Sequence, residues 1–213
     1  LTVNGGEFSI VQSAVSNVAP AAAVHVANGM MRFEQSDFGG SPANVADAAS
    51  GAGVCLYQLF VPMQWSLQLA SNAYFRVNNG IMATNLNVWA GPVTLASGTA
   101  RLNALTDGTA AITGAVGGNG GLLKEGPGWF WLLNPANTYA GTTTVTQGNL
   151  YAVAPGSLGA RAASGLTVSG SGTLVARACS GRRDRVAAGG IRHVRQRIEA
   201  DEPQAGTGRE QLA

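Results

Sequence analysis

The sequence predicts an all-β protein whose short strands wind into a solenoid, and three observations carry that expectation. Charged residues make up only 11% of the 213-residue chain, while glycine alone supplies 30 residues. A soluble domain usually carries more than twice that share of charge, and the surplus here is small, β-branched and turn-forming residues. Short alternating apolar segments bounded by Gly or Asn recur along the chain. Some return almost unchanged: "LTVNGG" at Leu1 is nearly repeated as "LTVSGS" at Leu166. Thr109 and Trp129 open similar segments 20 residues apart, and Val145 and Val168 do so at a distance of 23. Self-similarity at roughly 20–25 residues marks a repeat architecture, here one of strands. Evenly spaced short strands also fit a β-sandwich, but the glycine density and the repetition favour the solenoid.

The expected strands follow in order. "LTVNGGEFSIV" opens the chain and "AAVHVANGMMRFE" follows. Then come "YFRVNNG", "LNVWAGPVTLASGTARLNAL", "TAAITGAVGG", "WFWLLN", "TTTVTQGNLYAV" and "LTVSGSGTLVARA". Each alternates apolar and polar residues with period two and ends at a residue that tolerates a tight corner. Residues 41–60, "SPANVADAASGAGVCLYQLF", interrupt the rhythm. They read as a loop or insertion that enters a strand near Val54, with a short helix in the Ala-rich part.

Residues 109–159 carry a more specific pattern. Ile112 to Gly114 is followed by a Gly-rich turn into Gly120, Gly121, Leu122 and Lys124. A Gly-bounded strand comes next, then Asn137, Thr138, Tyr139 and Gly141, then Thr143 and Val145, Gly148 and Leu150, and a closing Leu158–Gly159. This order resembles the passenger-associated transport repeat of bacterial autotransporters, also called the autotransporter-associated β-strand repeat. "WFWLLNP" departs from the family's usual Thr-Leu strand ending in Ser-Gly, and Thr142 replaces a Gly; neither breaks the alternation. The resemblance implies a right-handed parallel β-helix passenger, held outside the cell or at its surface as part of a longer precursor. It also implies a C-terminal translocator barrel, of which this chain shows no strand series. Residues 86–105 look like a weaker copy of the rhythm and residues 1–33 a weaker one still.

Charge divides the chain. Residues 1–178, the expected β-helix region, hold six basic and six acidic residues, whereas residues 179–213 hold seven arginines and five acids. The tail lies outside the expected solenoid. Ile191, Val194 and Ile198 fit a short amphipathic helix, and an altered reading frame or a disordered segment fits its composition equally. Arg182, Arg183, Arg185, Arg192, Arg195 and Arg197 stand among acids, and stacking aromatics are missing, so no nucleic-acid partner is expected. The chain opens in a strand without a signal-peptide pattern, which reads as a processed or truncated product. No apolar run is long enough for a spanning helix, so the chain itself is not expected to insert into a membrane.

The search for chemistry gives mainly structural readings. Glu34 and Asp37 read as solvated loop acids, His25 as a solvent-facing strand residue, and His193 as a residue without ligand partners. "GGNGG" at 117–121 lacks the Lys-Ser/Thr of a phosphate loop and reads as a coil corner. Cys55 and Cys179 match no metal spacing and allow one long-range disulfide or two thiols. No catalytic, metal or cofactor site is expected. The leading expectation is a non-enzymatic extracellular stalk or adhesin segment whose repeat assists folding and export. A carbohydrate-active β-helix enzyme is the alternative if Glu34, Asp37, Asp47 or Asp107 converge, and a fragment without independent function is a third reading. Trp129 and Trp131 share one side of a strand, with Phe130 and Leu132 on the other. With Phe130 and Leu132 inward, the tryptophans form a contact surface for a glycan or protein; with the tryptophans inward, the stretch is only a bulky coil.

Overall fold

In the computed structural model, which describes residues 1–11, 21–35, 39–78, 87–160 and 165–176, the chain is a parallel β-solenoid of about seven turns. Its strands are β1 (Thr2–Val11), β2 (Ala23–Glu34), β3 (Val45–Ala48), β4 (Gly53–Tyr57) and β5 (Ser66–Leu69). Then come β6 (Tyr74–Val77), β7 (Asn87–Trp89), β8 (Val93–Leu95), β9 (Thr99–Ala104) and β10 (Thr109–Ile112). The series closes with β11 (Val116–Gly118), β12 (Gly121–Glu125), β13 (Trp129–Leu132), β14 (Thr143–Ala152) and β15 (Leu166–Ala176). A single 3-10 turn, Pro155–Leu158, is the helical element among the described residues. The charged tail from residue 179 lies outside the described residues, and so do Asp37, Cys179 and His193.

Three faces follow from the pairing. On the first face β2, β3, β5, β8 and β11 stack in turn. On the second, β2, β4, β6, β9, β12, β14 and β15 stack. On the third, β7, β10, β13, β14 and β15 do so. β1 runs along β2 over both of the faces that β2 spans. The two spacings read from the sequence are true register offsets, since Thr109 pairs with Trp129 and Val145 with Val168.

Inward files form the core. On the first face Val24, Ala46, Leu67, Val93 and Val116 align, all buried. On the second, Met31, Val54, Phe75, Leu102, Lys124 and Val145 align, again all buried. On the third, Asn87, Ala110, Phe130 and Leu150 align. The faces meet through edge-on aromatic pairs, Phe33–Trp65 at 5.7 Å and Phe75–Trp89 at 5.5 Å between centroids. Such pairs add about 0.5–1.5 kcal/mol each beyond the area they bury.

The corners explain the glycine count. Gly148, with φ of 65°, bends β14 from the second face to the third, and a Cβ there would stand 2.3 Å from the Gly126 carbonyl oxygen. Gly29, at φ of 90°, does the same for β2 between the first and second faces. The near copies "LTVNGG" and "LTVSGS" are therefore one kind of bend at two different corners. The first turns from first face to second, the second from second face to third.

Residues 41–60 correct the sequence reading. They hold two regular strands, β3 and β4, and no helix. In "VADA" the buried residues are Ala46 and Ala48, so the period of two is present but written in alanine. Alanine suits a helix as well as a narrow strand corner, which hid the alternation.

Candidate functional site: an outward aromatic file

The third face carries the group of side chains that the coil does not consume. In β13, Phe130 and Leu132 point inward and are fully buried, while Trp129 is 38% exposed and Trp131 half-buried. The neighbours fix this choice. Phe130 lies between Ala110 and Leu150 and reaches Phe75 across the core at 5.7 Å. Two indoles would not fit beside the aromatic residues already stacked there. Outward, Trp131 lies between Ala111 and Tyr151 in register, and the outer file continues to Val88 on one side and Val175 on the other. Ring centroids of Trp129 and Trp131 are 6.4 Å apart, and those of Trp131 and Tyr151 are 4.9 Å apart. The result is a three-ring aromatic cluster over two consecutive coils. Among the described residues the buried Trp131 Nε1 has no hydrogen-bond partner. The sequence reading found the tryptophans but missed Tyr151. Applying the 20-residue spacing once more, from Trp131, leads to it.

The repeat signature residues serve the coil itself. Leu122, Val145 and Leu150 are core. The buried Asn137 accepts from the Val116 N–H at 2.8 Å and donates to the Ser157 carbonyl at 2.8 Å, tying three successive coils. The Thr138 side chain faces outward while its N–H donates to the Val116 carbonyl at 2.8 Å. The buried Tyr139 hydroxyl meets the Thr143 hydroxyl at 2.7 Å. Burial pushes that phenol up to about 12, against a smaller downward pull from Thr143. Gly120, Gly121 and Gly141 pack where coils nearly touch: a Cβ on Gly121 would lie 2.3 Å from the Thr142 carbonyl oxygen, and one on Gly141 2.4 Å from the Gly121 nitrogen. The "GGNGG" segment is thus a corner next to β11 and β12, as expected.

Lys124 is the exception in composition. It stands in an inward file between Leu102 and Val145, fully buried. Its ammonium donates to the carbonyls of Glu125 at 2.8 Å, Gly126 at 2.7 Å and Gln147 at 3.1 Å. All three donors of the ammonium are used, so the charge closes the corner of two adjacent coils. Burial lowers this group to about 8, with the nearby Glu125 carboxylate pulling the other way.

Charges that are scattered in sequence assemble on the outside of the second face. The Arg32 guanidinium contacts Glu7 at 2.9 Å and Glu34 at 3.0 Å. Arg101 forms a two-pronged pair with Glu125, at 3.2 and 2.6 Å, and Asn103 donates to the same carboxylate at 3.0 Å. The bond to Glu125 raises Arg101 above its ordinary value, burial opposing. Tyr74 lies under two guanidinium groups, Arg101 at 4.8 Å and Arg76 at 5.4 Å from its centroid. Between Arg32 and Arg76 sits Cys55, a buried free thiol that burial pushes up to about 12. On the first face His25 Nδ1 contacts the Asp47 carboxylate at an exposed position.

Among the described residues the acids considered for catalysis lie on different parts of the coil. Glu34 is on the second face, Asp47 on the first and Asp107 at the corner before β10; Asp37 is outside the described residues. Among the described residues no three His, Cys, Asp or Glu side chains form a metal-binding group, and no helix is long and apolar enough to cross a membrane. A depression of about 400 Å³ opens at the corner between the second and third faces, lined by Asn78, Leu105, Thr106, Asp107 and Pro127. Comparison of the chain with family models, with curated proteins and with solved structures gives no match in any of the three.

Proposed function

We propose that this chain is a non-enzymatic β-solenoid segment of a secreted or cell-surface protein of the autotransporter-passenger kind, and that it contacts its partner through the outside of the third face. The observation that carries this reading is the outward cluster of Trp129, Trp131 and Tyr151 on two consecutive coils. Exposed aromatic groups of this sort favour contact with a partner that has both apolar and polar edges, a host glycan or protein. The strand-and-corner order of residues 109–159 supports the passenger part of the reading. Signature residues such as Lys124 and Asn137 bind neighbouring coils together, which suits a rod that folds by adding coil to coil.

Two experiments test it. The full chain, fused between an export signal and a translocator barrel, is expected to become protease-accessible on the bacterial surface; retention inside the cell would sink the passenger assignment. Adhesion of those bacteria to host cells is expected to fall by roughly tenfold in a Trp129→Ser, Trp131→Ser double variant displayed at equal density. Unchanged adhesion would remove the third face as the contact surface.

A further inference from the structure

The depression at the corner between the second and third faces draws its lining from three separate loops. Its floor is apolar, from Leu105, 40% exposed, and Pro127. Around it stand Asn78, Thr106 and Asp107. Among the described residues Asp107 and Thr106 have no side-chain hydrogen-bond or ion-pair partner, although Glu7, Glu34 and Glu125 on the outer second face are each paired. The buried Asn78 Oδ1 also lacks a partner, an arrangement that ordinarily implies a missing water or ligand. Asp107 holds φ of 63°, as Asn72 does at φ of 60° in another turn, a left-handed conformation that Asp and Asn tolerate better than most residues.

The ladder places this depression at the corner that leads into β10 and β13, the strand that carries the tryptophans. Trp129 follows Pro127 by two residues, Thr109 follows Asp107 by two, and Thr109 and Trp129 are register partners. The polar rim and the indole therefore share one corner on adjacent coils. We infer that this corner is a binding site for a neutral sugar residue of an oligosaccharide, a reading that rests on the third face being the contact surface. The chemistry selects that ligand. The Asp107 carboxylate and the Thr106 hydroxyl stand exposed at the rim, where the carboxylate accepts from the hydroxyl groups of a sugar and the threonine hydroxyl donates or accepts. The Asp107 carboxylate repels an acidic sugar, and among the described residues no group of three His, Cys, Asp or Glu side chains forms there to hold a metal ion. Leu105 and Pro127 offer apolar surface to the C–H face of the ring. A volume of about 400 Å³ falls in the range of small-molecule sites.

The test uses the full chain with maltotetraose, cellotetraose, chitotetraose and lacto-N-tetraose as neutral probes and sialyllactose as the acidic comparator. Binding is read by calorimetry and by tryptophan fluorescence. At least one neutral probe is expected to bind at micromolar to millimolar concentration, and sialyllactose more weakly. Asp107→Gly removes the carboxylate while a glycine accepts the φ, so the fold is kept; it is expected to weaken binding by roughly tenfold, as is Trp129→Ala. Tyr151→Ala, one coil further along, is expected to change binding by less than about twofold. Parent-like binding by Asp107→Gly, or tighter binding of sialyllactose, overturns the corner site. If Asp107→Gly is parent-like while Trp131→Ala and Tyr151→Ala lose the sugar, the aromatic face survives as the contact surface and the corner does not. A chain that binds none of these sugars at millimolar concentration overturns the saccharide site, and the adhesion experiment above then decides the face on its own.

Discussion

The outer second face and the outer third face hang on the same ladder, yet their side chains have opposite fates. On the second face charges are engaged within their own strand or by the next coil: Arg32 between Glu7 and Glu34, Arg101 with Glu125, and two guanidinium groups over Tyr74. On the third face the register brings together aromatic rings, and at its corner stand a carboxylate and a hydroxyl that have no partner among the described residues. The difference teaches how a solenoid separates stability from recognition. The coil spacing turns a sequence offset of about 22 residues into direct contact, so a file of matched charges closes on itself, while a file of rings leaves faces free.

The sharpest way to separate inside from outside on the third face is a pair of neighbours in β13. Phe130→Ala empties a fully buried site and is expected to cost about 3–5 kcal/mol in urea unfolding, whereas Trp129→Ala is expected to cost under about 1 kcal/mol. Equal losses would mean that the exposed indole is structural. Next in size is the corner that both faces share. Gly148→Ala is expected to lose roughly 2–4 kcal/mol, because its Cβ would strike the Gly126 carbonyl as well as strain the backbone. Gly51→Ala, at φ of 79° with open space around it, isolates the backbone strain and should lose only about 1–2 kcal/mol. If the two substitutions cost the same, coil contact plays no part in the choice of glycine.

Lys124→Met is expected to lose roughly 1–3 kcal/mol by leaving corner carbonyls unpaired. Its pH dependence has a definite sign. The lysine titrates at about 8 when folded against 10.5 unfolded, so between those values the unfolded chain holds more protons and stability rises with pH. Cys55 and Tyr139, both pushed to about 12, act in the opposite direction above their unfolded values of 9.0 and 10.0. The unfolding midpoint should therefore climb from about pH 8 to 9 and then turn over, and the climb should vanish in Lys124→Met. A climb that persists in that variant would assign it to another group. Smallest is the second face itself: Glu125→Gln should cost about 0.5–1 kcal/mol and lose its effect in high salt. A larger, salt-independent loss would show that the charged face bears core stability.

Much of this was legible in the sequence because strands and corners are local. The alternation in "TTTVTQGNLYAV" and the Gly that bends it are both within reach of a reader, and the 20- and 23-residue spacings are the actual registers. What was missed lies across coils. Nothing near Arg32 announces Glu7, whose register is shifted by irregularities in β1, and Tyr151 is announced only by carrying the 20-residue spacing one coil beyond Trp131. Lys124 was read as a signature residue, but its burial could not be inferred, since an inward lysine is exceptional until the three carbonyls that receive it are in view. Asp107 entered the sequence reading only as one of the acids whose convergence would favour an enzyme, because the depression around it is assembled from three separate loops.

The direction of the backbone bonds has a mechanical consequence. In this parallel ladder they run along the solenoid axis, so a pull on the two ends loads the coils in series rather than in parallel. Rupture should begin at an end coil and peel one coil at a time. Leu123 follows its partner Arg101 by 22 residues, so each step should release a contour of roughly 70–80 Å at 3.3–3.6 Å per residue. Single-molecule stretching would then record a train of small, evenly spaced events, with the step that frees Lys124 from its carbonyls among the strongest.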